Sequence, residues 1–389
     1  MRGETEHRTT GPRRAAFERL TGPLVLALAL ALSAVCGTIA QAQPTPAEIA
    51  RAAADGLIDA SLDAAFERPA GPWTLTLPQD HGAHPEARTE SWTLAAHLTT
   101  EAGEALGIQF ALTRFGVRTL AEVGDDPWAL RALHRAHVIV TRGAEGRLMA
   151  EERYSRGALD VAGHDPRAGT VWLEDWSIGF ASPGATPAPM VLSATVEGTP
   201  LTLTLTLTPQ HEALAAGGGD APFRGYALSR LAVEGTLGTG AEAEPLAGLA
   251  WLDHLWGDLP LPGGPVAYDR LVLHLDDGSD LSVVRTRRSD GRGEATVDAL
   301  MIEDAATATP SITMNATDTW TPSGSEIAYP TAWRIEGPTL DLRLTPVIEN
   351  QRPAFAVPLW SGMVRVDGRR DGAPVTGTGT LQLTGYEDP

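Results

Sequence analysis

The sequence predicts an all-β protein built from two antiparallel β-barrel or sandwich domains in tandem. Three observations lead to this prediction: a perfect two-residue alternation of Leu and Thr at 201–208, short alternating runs separated by turn residues, and a length of 389 residues. When apolar and polar residues alternate with a period of two residues, one face of the strand points inward and the other points outward. A chain of this length exceeds what one hydrophobic core usually serves, so two domains are expected.

The turn residues define the hairpins. Glycine and acidic residues separate the alternating runs, and such turns join antiparallel strands that follow each other directly. The predicted strand pairs are 92–98 with 105–115, 137–141 with 147–154, and 271–275 with 281–285. Repeated hairpins with little helix are typical of meandering barrels and sandwiches.

The chain divides into four predicted segments. Residues 1–42 form a signal peptide and residues 43–69 a linker with a short helix; an N-terminal domain at 70–245 and a C-terminal domain at 246–389 follow. Glycine, proline and a run of small residues make 236–247 resemble a linker, which places the domain boundary there.

The first 42 residues have the composition of an export signal. Several arginines precede an apolar run at 24–35, and Ala40 and Ala42 stand at the spacing that signal peptidase cleaves. The apolar run is too short to cross a bilayer. We therefore expect an exported protein, periplasmic or secreted. The single cysteine, Cys36, lies in this segment, so no disulfide and no cysteine-based metal site is expected afterwards.

The chain is strongly acidic, with a net charge of −19 at neutral pH, and every basic residue is an arginine. Such charge opposes binding to nucleic acid and to anionic membrane surfaces. The expected partners are a small apolar ligand or lipid and an envelope or transporter protein. The 10 tryptophans leave two interpretations open: the rings fill wide sheet cores, or they line a pocket for an apolar ligand.

Seven sequence blocks, in order along the chain, resemble the carotenoid 1,2-hydratase superfamily, also called hydroxyneurosporene synthase-like. The first block has a D-H-G-x-H-P pattern that contains Asp80, His81 and His84, and it continues at Glu90. The other blocks lie at 153–157, 171–176, 248–254, 329–333, 359–362 and 383–386.

The resemblance implies two lipocalin-like domains side by side and cofactor-free chemistry on an apolar polyene or terpenoid. The chain departs from the family pattern at Leu255 and Ser361, where the family has carboxylates, and at Ser91 and Thr93, where it has aromatic residues. The predicted fold does not depend on these positions, whereas the reaction does.

Hydration of an isolated alkene needs a strong acid to protonate one carbon before water captures the cation. A buried aspartate among tryptophans suits this step, because desolvation raises its pKa and the rings stabilise a passing cation. Asp253, between Trp251 and Trp256, is the predicted proton donor. His254 points to the opposite face of a regular strand and is a relay only if the strand bends. The alternative is that Asp253 and His254 simply tie two strands together by hydrogen bonds.

A second acidic centre is predicted at Glu174, on a strand face shared with Trp172 and Trp176; a capped strand end is the alternative. Tyr268 and Arg285 are predicted to line one pocket. The predicted ligand-binding residues together are Trp92, Trp172, Trp176, Trp251, Trp256, Tyr268 and Arg285.

The first block also has two interpretations. Asp80, His81 and His84 lie close together as metal ligands do, but no third ligand stands at a known spacing, and side-chain hydrogen bonds in a turn explain the pattern too. We expect a turn, with no metal and no cofactor. Neither a G-x-S-x-G elbow nor a phosphate-binding loop is present in the sequence. Many exported relatives are called secreted hydrolases, but the sequence shows no motif that would carry out hydrolysis.

The sequence thus predicts an exported carotenoid 1,2-hydratase-like enzyme that acts on an apolar polyene, terpenoid or lipid by alkene protonation and water addition or cyclisation. The alternative is a non-catalytic carrier of a lipid or another apolar ligand in the cell envelope.

We expect the exported protein to begin at Gln43, because cleavage after Ala42 follows from the A-x-A pattern. N-terminal sequencing of protein from the periplasm or medium measures this directly. A chain that keeps residues 1–42 after export would contradict the prediction.

Overall fold

The computed structural model describes residues 66–124, 126, 128–182, 189–207, 211–219, 221–259, 266–303 and 306–386. The predicted signal peptide and nearly all of the predicted 43–69 segment lie outside these residues. Within them, no helical segment has the length and hydrophobicity needed to cross a membrane.

Two antiparallel sheets make up the described chain. The strands of the first sheet are β1 (Thr89–Thr100), β2 (Ala105–Gly116), β3 (Ala132–Arg142), β4 (Arg147–Ser155), β5 (Ala162–Asp165), β6 (Thr170–Leu173), β7 (Trp176–Phe180), β8 (Met190–Val196), β9 (Thr199–Leu207), β10 (Leu214–Gly217), β11 (Phe223–Leu237) and β12 (Glu244–Gly257). The strands of the second sheet are β13 (Val266–Leu275), β14 (Asp280–Arg288), β15 (Thr296–Glu303), β16 (Ala306–Ala308), β17 (Thr313–Trp320), β18 (Tyr329–Glu336), β19 (Leu340–Pro346), β20 (Leu359–Arg370) and β21 (Ala373–Thr384).

Helix is confined to short segments in the described chain. The helix α1 spans Leu120–Val123, and single 3₁₀ turns lie at Gln79–His81, Ala158–Asp160 and Gly240–Glu242. The first sheet is a nearly closed barrel with the strand order β4-β3-β2-β1-β12-β11-β9-β8-β7-β6-β5, and β10 pairs with β11. The second sheet is a half-barrel with the order β16-β15-β14-β13-β21-β20-β19-β18-β17. The all-β, lipocalin-like prediction is confirmed.

The predicted alternation and hairpins are present. In β9, Leu201, Leu203 and Leu205 are buried while the threonines between them are exposed, so the leucines enter the barrel core. The predicted hairpins are the pairs β1 with β2, β3 with β4 and β13 with β14. In β9 the apolar residues at every second position bury one face of the strand, which favours this register over a shifted one.

The predicted linker at 236–247 is wrong. These residues are the turn of a hairpin within the first sheet, where β11 and β12 pair from Phe223 opposite Gly257 to Leu237 opposite Glu244. Small and glycine residues suit a tight turn as well as a linker, and composition does not distinguish the two. The change from one sheet to the other falls between Gly257 and Val266.

The two sheets pack through their outer faces. Ala95, Ala227 and Trp251 of the first sheet contact Val272 and Ile302 of the second in a small apolar core of their own. Burying this area removes apolar surface from water and stabilises the pairing of the sheets.

Two histidines are hydrogen-bonded to each other across the same junction. His97 of β1 and His274 of β13 approach through their Nδ1 atoms at 2.9 Å. His274 Nε2 donates to the carbonyl of Ser229 at 2.8 Å, so a neutral His274 must accept at Nδ1 from His97. His97 Nε2 then accepts from the hydroxyl of Thr380 at 2.9 Å. Burial, together with the neighbouring His274, lowers the pKa of His97 well below its ordinary value.

We expect acid to weaken this junction through His97. The folded state keeps His97 neutral while the unfolded chain protonates it below about pH 6.5, so folding stability falls as the pH drops, by up to about 1.4 kcal/mol per pH unit. The measurement is urea unfolding from pH 7 to pH 5, comparing the wild type with His97→Gln.

The comparison between the two proteins matters because a second group at the junction acts in the opposite direction. Burial raises the pKa of Asp280 to about 6, which makes its protonation on acidification favour the folded state. The wild type should therefore lose stability relative to His97→Gln as the pH falls. Parallel pH profiles for the two proteins would contradict the role of His97.

Candidate active site

The last strand of the first sheet has two faces of different chemistry. On β12, His254 lies opposite Trp92 of β1 and Tyr226 of β11. His254 and Trp256 therefore point into the barrel, whereas Trp251 and Asp253 point toward the second sheet. The strand is regular here, so His254 and Asp253 lie on opposite faces.

The segment before β1 brings two more histidines to the barrel interior. Its 3₁₀ turn, Gln79–His81, is held by the Asp80 carboxylate, which accepts from the backbone N–H of Thr76 at 2.5 Å. His81 is buried, and its ring contacts Phe180 of β7 at a centroid distance of 4.5 Å. The predicted turn with side-chain hydrogen bonds is present, and it covers this end of the barrel.

Glu90 is the centre of a buried polar network and has an exposed fraction of 0%. Its Oε1 accepts from His84 Nδ1 at 2.9 Å and from His254 Nε2 at 3.0 Å. Its Oε2 accepts from Arg114 Nε at 3.2 Å. Burial alone would raise the pKa of Glu90, but the hydrogen bonds from His254 and His84 and the charge of Arg114 outweigh it and hold the pKa well below its ordinary value.

Arg114 connects this network to the preceding loop. Its Nη2 donates to the carbonyl oxygens of His84 at 2.7 Å and Ala87 at 2.6 Å. Arg114 lies directly across from Glu90 in the β1–β2 pair. One arginine therefore neutralises the buried carboxylate and anchors the loop that carries the histidines.

His254 is oriented by its partners. Its ring stacks on Trp92 at 4.4 Å with an interplanar angle of 15°. Because the ionised Glu90 can only accept, Nε2 carries the hydrogen and the neutral ring presents a lone pair at Nδ1. Burial lowers the pKa of His254 although Glu90 opposes this. Among the described residues, Nδ1 makes no hydrogen bond of ordinary geometry, although the backbone of Asp80 also acts to raise the pKa of His254.

His81 and Tyr226 form a second pair beside the first. The Tyr226 hydroxyl and His81 Nδ1 share a short hydrogen bond, and the ring centroid of His81 lies 6.0 Å from that of His254. Burial lowers the pKa of His81 to about 3 and raises that of Tyr226, so both are neutral at pH 7. Within the described chain, His81 Nε2 has no hydrogen-bond partner either.

Aromatic rings surround these polar groups. His84 stacks on Trp256 at 3.8 Å with an interplanar angle of 2°, and Trp73 meets Trp256 edge-on at 5.6 Å. Rings of this size exclude water and fix the imidazole planes. Polar nitrogen atoms in such surroundings interact strongly with any group that approaches them.

Three of these side chains could hold a metal ion. One ligand atom each of His84, Glu90 and His254 lies within 4.8 Å of the others. The Glu90 oxygens, however, already accept hydrogen bonds from both histidines, and a cation there would stand near Arg114. The donor set therefore suits a hydrogen-bonded acid–base network better than a metal centre.

Asp253 lies outside this network, at the junction of the sheets. Its Oδ1 accepts from Trp251 Nε1 at 2.8 Å, and its Oδ2 is paired with Arg270 of β13. Thr93 Oγ1 lies 3.5 Å from the same Oδ2. Asp253 thus ties the two sheets together, and its role as a proton donor stays a prediction.

The strand predicted to carry Glu174 is interrupted there. Glu174 and Asp175 are the exposed turn between β6 and β7, with Glu174 at φ 56° and paired with Arg153 at 3.2 Å. The predicted face shared by Trp172 and Trp176 is therefore wrong: Trp176 is buried in the barrel core, whereas Trp172 lies on the outer side. A two-residue turn resets the alternation, which a reading of one continuous strand does not anticipate.

The predicted pocket with both Tyr268 and Arg285 is wrong as well. Arg285 lies across from Asp269 in the β13–β14 pair and contacts its carboxylate at 2.7 Å. Tyr268, one residue earlier on β13, therefore points to the opposite side of the sheet.

The structure thus brings together six of the predicted residues, namely His81, His84, Glu90, Trp92, His254 and Trp256. Sequence reasoning missed Arg114 and Tyr226. The position of Arg114 in β2 across from Glu90 is readable from the hairpin register, but no pattern marks Tyr226.

A model of AttH-like proteins matches residues 68–386. An AttH protein of Nitrosomonas europaea has a crystal structure similar to this chain, with 26% identity and a TM-score of 0.68 over 83% of this chain and 100% of that chain. No curated protein matches the chain.

Two further solved structures share the fold. Kievitone hydratase from Nectria haematococca is 16% identical with a TM-score of 0.60, covering 82% of this chain and 98% of that chain. CghA, solved with Sch210972, is 15% identical with a TM-score of 0.51, covering 82% of this chain and 95% of that chain.

We expect Glu90→Gln to destabilise the protein by roughly 3–5 kcal/mol, because it leaves the Arg114 charge buried without its partner. Urea unfolding measures the change in the free energy of unfolding. Ser91→Ala is the matched control: Ser91 is the next residue of β1, faces the other side and loses one hydrogen bond to Thr113, about 1 kcal/mol. Equal stability of the two variants would contradict the central role of Glu90.

Proposed function

The chain belongs to the AttH-like family, and on that premise we propose that it is a hydratase-like enzyme, one that adds water to a double bond of an apolar substrate or removes it. The fold that it shares with kievitone hydratase, a hydratase by name, supports this class of reaction.

One observation carries the proposal. Two neutral imidazoles stand side by side in an aromatic interior, and each has one ring nitrogen without a hydrogen bond of ordinary geometry to the described residues. His254 Nδ1 offers a lone pair because Glu90 holds its hydrogen on Nε2. With Tyr226 donating to Nδ1 of His81, Nε2 of His81 carries a hydrogen and is a donor.

A base and a donor at this separation suit the addition of water. His254 Nδ1 accepts a proton from water as the water oxygen bonds to one alkene carbon. The π electron pair moves to the other carbon, which takes a proton from His81 Nε2, and Tyr226 supplies its proton to His81 Nδ1. The substrate gains one hydrogen and one hydroxyl. The site is restored when the proton on His254 Nδ1 passes through water to His81 Nε2 and His81 Nδ1 returns its proton to Tyr226.

The chemistry also indicates the type of double bond. Neutral imidazole and phenol are weak acids, and an isolated alkene needs a strong one. A double bond conjugated with a carbonyl group or a longer π system accepts water with a base and a hydrogen-bond donor. The surrounding Trp73, Trp92 and Trp256 favour an apolar substrate, such as a polyene or terpenoid.

The proposal includes export. The arginine-rich start, the apolar run and the A-x-A pattern of residues 1–42 support a periplasmic or secreted protein. Its substrate is then an apolar molecule of the envelope or medium.

We expect His254→Asn to abolish hydration, with a loss of about 100-fold or more, because the base is removed. The protein is incubated with a lipid extract of its host in ¹⁸O-labelled water, and mass spectrometry follows which molecules gain one labelled water. Asp253→Asn is the matched control, since it changes the next residue of the same strand on the opposite face.

The two variants separate the competing mechanisms. Activity in Asp253→Asn but not in His254→Asn supports the interior network. The reverse result would move the chemistry to Asp253 at the junction of the sheets. Recovery of unmodified lipid from the wild type, with no label incorporated, would overturn the enzyme proposal in favour of a carrier.

A further inference from the structure

The second sheet has a polar cluster of its own, built on β13 and β14. Asp269 is buried with an exposed fraction of 0%, and two arginines of β14 converge on it. Arg285 Nη1 contacts Asp269 Oδ2 at 2.7 Å, and Arg287 Nη2 lies 3.6 Å from Oδ1. The hydroxyl of Tyr386 donates to Oδ2 at 3.0 Å.

The ion pairs leave positive charge in excess. One carboxylate balances one guanidinium, so Asp269 with Arg285 and Arg287 carries a net charge of about +1. Arg287 directs its remaining contacts to the backbone carbonyls of Thr384 and Gly385 rather than to a second acid. In a chain as acidic as this one, two arginines on one buried aspartate are a local exception.

Two buried polar atoms of the cluster are unsatisfied. Among the described residues, Asp269 Oδ1 and Arg287 Nε have no hydrogen-bond partner. Buried polar atoms without partners are rare, and each costs folding free energy unless another molecule contacts it. Oδ1 lies 3.6 Å from Arg287 Nη2, so it is compensated by charge, whereas Arg287 Nε is a donor that an anionic group could accept from.

Aromatic rings border the cluster on one side. The guanidinium of Arg285 lies over Trp333 at 5.6 Å, and that of Arg287 lies over Tyr386 at 3.9 Å. Tyr329 continues the row, with a centroid distance of 5.7 Å to Tyr386. The side chain of Arg285 is 26% exposed, so part of the guanidinium is open to solvent.

We propose that this cluster is a binding site for the carboxylate of an amphipathic molecule. The exposed donors of Arg285 take the carboxylate, and Arg287 supplies the second positive charge. The partly exposed ring of Tyr386 receives the apolar part, with Trp333 and Tyr329 buried behind it in the half-barrel core. Arginine forks match carboxylates in geometry and charge. The site lies on a different sheet from the His254 network and does not depend on hydration there.

The simplest alternative is an ion pair that only stabilises the half-barrel. That role explains one arginine on Asp269. It requires neither the second arginine nor the unsatisfied donor Arg287 Nε, and it predicts no preference for an anion.

The experiment compares an acid with its ester. cis-Parinaric acid, a fluorescent polyene carboxylate, and its methyl ester are titrated into the full-length protein at low and high salt. We expect the acid to bind at least tenfold more tightly than the ester, with the difference shrinking at high salt. In Arg285→Gln, the affinity for the acid should fall to the affinity for the ester.

Arg343→Gln is the matched control, because Arg343 is an exposed arginine on β19 of the same sheet. It should leave the preference for the acid unchanged. Arg285→Lys, which keeps the charge and the fold, should retain part of that preference. Equal binding of acid and ester by the wild type, no binding of either, or an unchanged preference in Arg285→Gln would each overturn the proposal.

Discussion

The first barrel depends on the hydrogen bonds and the ion pair that stabilise the buried negative charge of Glu90. A carboxylate with no solvent exposure remains ionised only if donors surround it, and here they come from three separate parts of the chain. Arg114 comes from β2, His254 from β12 and His84 from the loop before β1. The contacts that compensate the charge of Glu90 therefore hold the loop before β1 over the end of the barrel. They also fix the tautomer of His254. The same contacts hold the side chains on which the proposed hydration depends.

Strand β12 divides the polar chemistry of the molecule. Its inward residues, His254 and Trp256, belong to the network in the barrel, and its outward residue, Asp253, pairs with Arg270 across the junction. Two neighbours in sequence thus serve different purposes, because successive side chains of a strand point to opposite faces. The neutral His97–His274 pair and the apolar contacts around Trp251 complete the junction, so the second sheet is held by groups that tolerate burial without charge, together with a few ion pairs.

The two sheets compensate their buried carboxylates in different ways. In the network around Glu90, one carboxylate has enough donors, and His81 Nε2 and His254 Nδ1 are neutral imidazole nitrogens without a hydrogen bond of ordinary geometry to the described residues. In the half-barrel, one carboxylate faces two arginines, and the surplus is positive charge, which suits binding of an anion. In the two proposals made above, the barrel network takes a reacting double bond and the half-barrel cluster takes a carboxylate.

The sequence by itself determined the fold class, the hairpins and the family, since alternation and turn residues act over a few positions and the motif blocks are local. The same local reasoning failed at Glu174, where a two-residue turn resets the alternation, and at 236–247, where a hairpin turn has the composition of a linker. It also identified His81, His84 and Glu90 as a set, but not what they surround. Arg114, across from Glu90 in the β1–β2 hairpin, follows from local register. Only the tertiary structure decided that Tyr226 and the predicted His254 meet Glu90, because β11 and β12 are distant from β1 in sequence and their pairing depends on long-range register, which no local pattern encodes.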